Sequence, residues 1–328
     1  MERVHKKKKY TVASLFSGIG GLDLGFDYAG FDVIWANDFD KYAVKTYQEN
    51  VNKNIVLGDI TKLKDSVPNH DVLIGGFPCQ PFSTLGKLEG FKDENRGNLF
   101  FDIIDIIKNK RPKVVVLENV KNLVNHDSKR TFTRILKEFD LANYDVFHQI
   151  LNSKDYGIPQ QRNRIFIVAV NRDYFKNSDF EFPKPIPLKI TTQDLLDKDV
   201  DIQYFLTKKI AKTIMGKGTK GYIVNPTIDK PISKTLCATM HKMHRASQDN
   251  YVTDQNSFDQ FNDDNRINIR KLTPNECRKL QGFPSDWKQV VSDCQAYKQF
   301  GNAVTVDVAY AVAKNVYKFL EENCKDDK

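Results

Sequence analysis

Cysteine is scarce and scattered in this chain: five thiols, Cys79, Cys237, Cys277, Cys294 and Cys324, with no Cys-x-x-Cys pair among them. An odd count at such spacing argues against a disulfide framework or a cysteine zinc site and for a reducing, cytosolic setting. Long apolar runs are missing as well. None approaches the roughly 18 residues that a membrane span needs. The start, Met1-Glu-Arg-Val-His-Lys-Lys-Lys-Lys9, places no apolar stretch between its charges and the first strand, unlike a signal peptide. No internal repeat is visible. What is in excess is positive charge: Lys and Arg number 50 against 42 Asp and Glu, a formal net charge of +8. That balance favours a polyanionic partner. The basic residues gather in an arm at Lys6–Lys9, in the segment from Lys208 to Lys220, and in His241-Lys-Met-His-Arg245.

With 328 residues the chain can bury a large core and divide into two domains. Its first half alternates strand and helix patterns. Thr11–Phe16, Asp32–Ala36, Ile55–Leu57, Asp71–Ile74, Lys113–Leu117 and Arg164–Val170 read as buried strands, and residues 22–29, 40–50 and Leu99–Lys108 as helices. The alternation predicts a parallel sheet covered by helices. Pro183, Pro185 and Pro187 then mark a linker, and the polar, loop-rich segment after it has no regular period.

Glycine and acid positions at the strand ends outline a ligand pocket. Phe16-Ser-Gly-Ile-Gly-Gly-Leu22 follows the first strand and opens a helix, so its backbone can approach a ligand where helix amides point outward. It is not the dinucleotide fingerprint, because the third glycine would fall where Asp23 stands. Asp38 ends the second strand, where an acid accepts hydrogen bonds from ribose hydroxyls. Asp59 ends the third, placed for an exocyclic amine. Singly, each acid is as well read as a turn or cap residue. Together they describe a nucleoside pocket without a phosphate cradle, as S-adenosylmethionine would need.

After the apolar run Asp71-Val-Leu-Ile74 comes Gly75-Gly-Phe-Pro-Cys-Gln-Pro-Phe-Ser83. Its thiol would sit on a tight turn at the carboxyl end of a buried strand, where ligands gather in open α/β sheets. The alternative is a small buried hydrophobe, the usual state of a free cysteine.

The ordered set Phe-Ser-Gly-Ile-Gly-Gly, Asn37-Asp38, Gly58-Asp-Ile60, Gly-Phe-Pro-Cys-Gln-Pro-Phe-Ser, Glu118-Asn-Val120, Gln161-Arg-Asn-Arg164 and Phe300-Gly-Asn-Ala-Val304 resembles the DNA cytosine carbon-5 methyltransferases, in the compact form of bacterial modification enzymes. The resemblance covers residues 11–170 and 270–320. It implies a Rossmann-like S-adenosylmethionine-dependent α/β sheet with helices on both faces, plus a smaller, irregular, β-rich target-recognition domain. The expected boundaries are 1–187 for the first catalytic part, 188–275 for recognition, and 276–328 for a hinge and return helix. Phe16, Ser17, Gly18, Ile19, Gly20, Gly21, Asp38, Phe39, Asp59, Ile60, Pro78, Asn302 and Ala303 are thereby implied at the cofactor, with Phe39 and Ile60 enclosing its adenine. Cys79 is implied as nucleophile, Glu118 as its acid partner, and Arg162 and Arg164 as aids at the target base.

The chemistry requires those types together. Carbon 5 of cytosine is too weak a nucleophile to attack a methyl sulfonium unaided, so a thiolate must first add to carbon 6. Free cysteine, with pKa about 8.5, is mostly protonated at neutral pH, so nearby cations must favour the anion. Charge that flows into the ring collects at nitrogen 3, where Glu118 could act as a neutral acid if burial raises its pKa. None of these groups reaches a base inside a duplex, so the target must flip out.

Residues 84–97 form a glycine-hinged loop suited to closing over that base. Gln80 and Ser83 just before it, Leu85, Lys87 and Arg96 within it, and Lys217 and Lys220 of the glycine-rich segment 216–221 are the expected DNA-facing residues. Thr235-Leu236 resembles the threonine–aliphatic pair of the family's recognition domain. His241, Lys242, His244 and Arg245 have the chemistry to read base edges or hold phosphates. No metal is expected, since the two histidines have no cysteine pair and few carboxylates near them. Thr273 predicts an N-cap and Gly282 a stop for the helix between them, and residues 304–320 a final amphipathic helix. Two other readings remain. An RNA methyltransferase of the same architecture would carry Cys-Phe-Thr, and no cysteine here precedes phenylalanine. A catalytically dead DNA-binding relative would lack the nucleophile set. The expectation is a monomeric enzyme acting on double-stranded DNA in the bacterial cytosol, protecting that DNA from a restriction enzyme.

Overall fold

The computed structural model describes residues 9–78, 99–216, 226, 228–242 and 244–324. Their contacts divide the chain into two units: residues up to Leu151, with Asn163–Lys184 and the chain from Val308 on; and Asn152–Arg162 with Pro185–Asp307. The break after Lys184 falls among the alternating prolines. Residues 276–307 and 152–162 are grouped with the second unit, not with the sheet, and α10 (Val306–Asn323) carries the chain back into the first.

In the first unit, β1 (Thr11–Leu15), β2 (Asp32–Asp38), β3 (Ile55–Leu57), β4 (Val72–Gly76), β5 (Val114–Val120), β6 (Tyr144–Asn152) and β8 (Asn163–Asn171) form one sheet in the order β3-β2-β1-β4-β5-β8-β6. The residue types explain the centre. Val114-Val-Val-Leu117 and Ile165-Phe-Ile-Val-Ala-Val170 are continuous apolar runs, and every one of those side chains is buried, as in strands covered on both faces. From β3 to β5 the pairings are parallel. The predicted all-parallel sheet is corrected at one edge, because β8 runs antiparallel to β5 with Glu118 opposite Phe166. Beside β8 lies β6, an edge strand whose middle residues are exposed; that weak pattern is why periodicity does not pick it out. The helices α1 (Gly21–Ala29), α2 (Lys41–Asn50), α4 (Leu99–Lys110) and α5 (Arg130–Leu141) join the strands, with a single turn α3 at Ile60–Leu63. Ile103, Ile107, Leu117, Ile135, Phe139 and Ile167 share one buried cluster.

The second unit holds a three-stranded antiparallel sheet of β9 (Phe205–Thr207), β12 (Arg266–Lys271) and β11 (Tyr251–Thr253), and a parallel pair of β7 (Gln160–Gln161) with β10 (Ser233–Lys234). Its helices are α6 (Lys208–Met215), α7 (Gln255–Phe258), α8 (Pro274–Lys279) and α9 (Asp293–Asn302). The predicted cap is present. Thr273 Oγ1 accepts the Glu276 N–H at 3.1 Å while Glu276 Oε2 accepts the Thr273 N–H at 2.8 Å, the reciprocal box that satisfies two orphan donors. Gly282 follows at φ +74°. The same buried Glu276 takes both terminal nitrogens of Arg270, at 2.8 and 2.9 Å. No helix among the described residues is long and apolar enough to cross a membrane.

Candidate active site

The order β3-β2-β1-β4-β5 places the chain reversal between β1 and β4, so a crevice opens at the carboxyl ends of those strands. Phe16–Gly21, Asp38–Phe39, Asp59–Ile60 and Pro78 lie at or just beyond the ends of β1, β2, β3 and β4. Phe16 leaves β1 at φ +54°, a conformation that costs a non-glycine residue of order 1 kcal/mol or more and that clusters at functional sites. The turn it begins is built around two positive-φ glycines. At Gly20 (φ +86°) an added Cβ would lie 2.8 Å from Val51 Cγ2 and 3.0 Å from the Tyr47 ring, so the turn rests directly on α2. At Gly18 (φ +56°) a Cβ would meet nothing within 4 Å, leaving that face open.

Asp38 fastens this loop. Its Oδ2 accepts the Gly18 N–H at 2.8 Å and its Oδ1 the Asp40 N–H at 2.8 Å. Burial pushes the carboxyl above its ordinary range, and these backbone hydrogen bonds oppose the shift. Ser17 bonds Ser14 Oγ at 2.8 Å and completes the base of the loop, while Ile19 packs inward. Asp59 is exposed and caps α3 through Thr61 N–H at 3.0 Å. Phe39 stands 75% exposed, whereas Ile60 is buried at 2%. An exposed phenylalanine beside a buried carboxylate and an open glycine is a lining for a flat apolar group.

At the neighbouring strand ends the groups differ. Phe77 is buried and Pro78 exposed, and the chain then enters residues 79–98, outside the described residues. Cys79, Gln80, Ser83, Leu85, Lys87 and Arg96, with the expected lid 84–97, all fall there. Lys217 and Lys220 fall outside them too. Asn119 Nδ2 donates to the Phe77 carbonyl at 2.8 Å, which holds the β4 end against β5 two residues before Cys79. Glu118, 8% exposed, pairs with Arg164 Nε at 3.0 Å. Gly76 keeps the space beside it clear, since a Cβ there would lie 3.4 Å from Glu118 Oε2. The pair can present an acid and a cation side by side at the end of β5.

The second arginine is used differently. Arg162, 1% exposed, donates to three carbonyls of the second unit: Leu236 at 2.9 Å, Gly301 at 3.1 Å and Ala303 at 2.7 Å. Asn302 between them is exposed and Ala303 half-buried. Thr235 Oγ1 donates to Gln161 O at 2.6 Å. Among the basic residues, Lys242 is exposed, His241 Nδ1 lies 2.6 Å from Ala238 O, and Arg245 bonds Gln248 at 2.8 Å. His244 stacks beside Tyr251, and burial lowers its pKa. Three supports escape sequence reading. Asn119, the Asp23–Tyr47 hydrogen bond of 2.8 Å, and fully buried Gln160 are visible in sequence only as polar residues within apolar surroundings.

A family model described as C-5 cytosine-specific DNA methylase matches residues 10–318. The chain is 40% identical over 325 residues to Type II methyltransferase M.SsoII of Shigella sonnei, covering 95% of this chain and 81% of that one. It is 39% identical to M.Bsp6I of a Bacillus species, with 94% and 99% covered, and 35% identical to M.HhaI of Haemophilus parahaemolyticus, with 92% of each covered. In fold it is similar to a solved structure of Spodoptera frugiperda DNMT2, at TM-score 0.73 and 21% identity over 94% of this chain and all of that one.

Proposed function

This chain belongs to the C-5 cytosine-specific DNA methylase family and is a DNA (cytosine-5-)-methyltransferase; from that premise we propose a covalent mechanism at a flipped-out cytosine within a specific duplex sequence. The observation that carries it is the Glu118–Arg164 pair at the end of β5, next to the β4 end that leads within three residues to Cys79. Held by the Phe16–Gly21 turn, Asp38, Phe39, Asp59, Ile60, Pro78, Asn302 and Ala303, S-adenosylmethionine supplies the electrophilic methyl group. Open Gly18 and the carboxylate of Asp38 beside it fit a ribose and its backbone neighbours.

The Cys79 thiolate forms a bond to carbon 6, and the ring's displaced electron pair moves toward carbon 5 with charge shared at nitrogen 3. Glu118 meets that nitrogen. Arg164 holds the carboxyl group in place and, as a cation, favours the thiolate on the neighbouring loop. After methyl transfer a base takes the carbon-5 proton, the electron pair of that bond re-forms the double bond between carbons 5 and 6, and the sulfur–carbon 6 pair departs on sulfur, which restores the ring and the thiolate. Thr235, His241, Lys242, His244 and Arg245 serve the recognition side, with Gln80, Ser83, Leu85, Lys87, Arg96, Lys217 and Lys220 assigned to the opened DNA. The enzyme acts as a monomer on DNA in the cytosol, beside a restriction enzyme of the same specificity.

The test is chemical. Duplex DNA carrying 5-fluorocytosine at the target has no carbon-5 proton to lose, so the parent enzyme should be trapped on it as a denaturant-resistant adduct. Cys79→Ala should give neither adduct nor 5-methylcytosine by bisulfite sequencing. Methylation by the alanine variant at the parental rate overturns the mechanism.

A further inference from the structure

Arg162 is a buried cation whose terminal nitrogens reach two separate backbone segments. On one side it takes the Leu236 carbonyl; on the other it takes the carbonyls that flank Asn302. The Leu236 segment is also gripped elsewhere. Ser233 pairs with Gln160 and Lys234 with Gln161 in parallel register. Ser233 N–H donates to Pro159 O at 2.9 Å, Thr235 Oγ1 to Gln161 O at 2.6 Å, and Leu236 N–H to Gln160 Oε1 at 2.9 Å. Gln160, fully buried, spends its amide N–H on Leu280 O at 2.7 Å. Almost every residue from 233 to 236 is thus read off, one by one, against 159–162.

The two segments also touch without any side chain between them. A Cβ at Gly301 would lie 2.2 Å from Ala238 N and 2.3 Å from Cys237 C, so the backbone after Leu236 rests directly on the backbone before Asn302. Gln281 Nε2 secures the second segment further, at 2.5 Å from Phe300 O. Backbone packed on backbone at that distance has no soft side chain to absorb a shift.

We infer that Arg162 is a positioning residue that joins target reading to cofactor retention, by locking the Thr235–Leu236 segment and the Asn302 segment into one body. The inference rests on the proposed function, which puts Thr235 at the DNA and Asn302 at the cofactor. A displacement of either segment is then transmitted to the other through one guanidinium and one glycine. A lysine at 162 provides a point charge where the planar fork meets three carbonyls, and cannot hold both sides at once.

Arg162→Lys, Gly301→Ala and Gln160→Met are compared with the parent by two readings: S-adenosylmethionine affinity without DNA, and site preference by bisulfite sequencing of a randomised duplex library. Arg162→Lys should weaken cofactor binding by about tenfold and raise methylation of near-cognate sites by a similar factor. Gly301→Ala reaches the same joint without touching the buried charge, so it should move both readings even if the lysine variant fails to fold. Gln160→Met removes the acceptor of Leu236 N–H but keeps the guanidinium and the glycine, so it should shift preference and, through that intact joint, move cofactor affinity in the same direction by less than Arg162→Lys does. Folded Arg162→Lys or Gly301→Ala variants with both readings at parental values overturn the inference. So does a loss confined to turnover, which would mark Arg162 as acting at the base. A parent that methylates no duplex refutes the functional reading instead, and the parental control distinguishes that failure.

Discussion

Asp23 is a carboxyl group sealed within the first unit, and removing its charge should stabilise the protein in a pH-dependent way. It is fully buried on α1, and its Oδ1 accepts the Tyr47 hydroxyl at 2.8 Å. Burial pushes its pKa from 3.8 up to about 6, with the Tyr47 hydrogen bond pulling the other way. The native state therefore binds this proton more tightly than the unfolded chain. The contribution of this group to stability is fullest below pH 3.8, is lost as pH rises through the window to about 6, and is level above it. A shift of about two units corresponds to ~3 kcal/mol of penalty at pH 8 and, by the same linkage, to roughly half of that at pH 5.

Asp23→Asn keeps the acceptor for Tyr47 and removes the charge. Discounting for the amide's second N–H in a buried site leaves a gain of roughly 2 kcal/mol at pH 8, which for a unit of this size is about 4–8 °C in melting midpoint. Calorimetry of parent and variant at pH 5, 6.5 and 8 measures it. The gain at pH 8 should exceed that at pH 5 by roughly 1 kcal/mol. A gain of equal size at all three values, or a variant less stable than the parent at pH 8, refutes the argument that the buried ionised carboxylate is the cause.

Asp38→Ala removes the acceptor of Gly18 N–H and should weaken S-adenosylmethionine binding by roughly 1–3 kcal/mol in calorimetry; Asp59→Ala, at an exposed cap, should fall at the low end of that range. Lys208 and Lys209 are exposed in the first turn of α6, where cations oppose the helix dipole, and Lys212 is exposed in its last turn. Substituting any one by alanine should weaken DNA binding at all sites and lower the salt slope by about one unit in a fluorescence titration. Exchange of residues 188–275 for those of a relative with another specificity should change the bisulfite-mapped target and leave the product unchanged; an active chimera that keeps the parental target would move recognition elsewhere.

How much of this was legible in sequence depended on whether the signal was local. Strands such as Val114–Val120 announce themselves because burial on both faces demands an unbroken apolar run, and their ends carry the acids and glycines in chain order. The cap at Thr273 and the stop at Gly282 are equally local. β6 and α5 were missed, the first because an edge strand needs no consistent inner face. The antiparallel course of β8 was missed because direction in a sheet is set by the path of the connection, and not by composition. Asp23, Asn119 and Gln160 were invisible as supports because their partners lie 24, 42 and 76 or more residues away.

Arg162 shows the limit most sharply. It stands two residues from Arg164 in a stretch where both look like ligands for an anion, and sequence offers no reason to separate them. What separates them is the company each keeps: Arg164 meets a carboxylate, and Arg162 donates to three backbone carbonyl oxygens. Carbonyls belong to every residue and leave no trace in composition. Wherever a functional segment is placed by its backbone, as Leu236 and Gly301 are, the identity of its side chains says little about where it will lie. The segment that should read DNA is therefore the hardest to interpret from residue types alone. Its register is held by Gln160, Arg162 and Gly301, none of which needs to touch the DNA it helps to select.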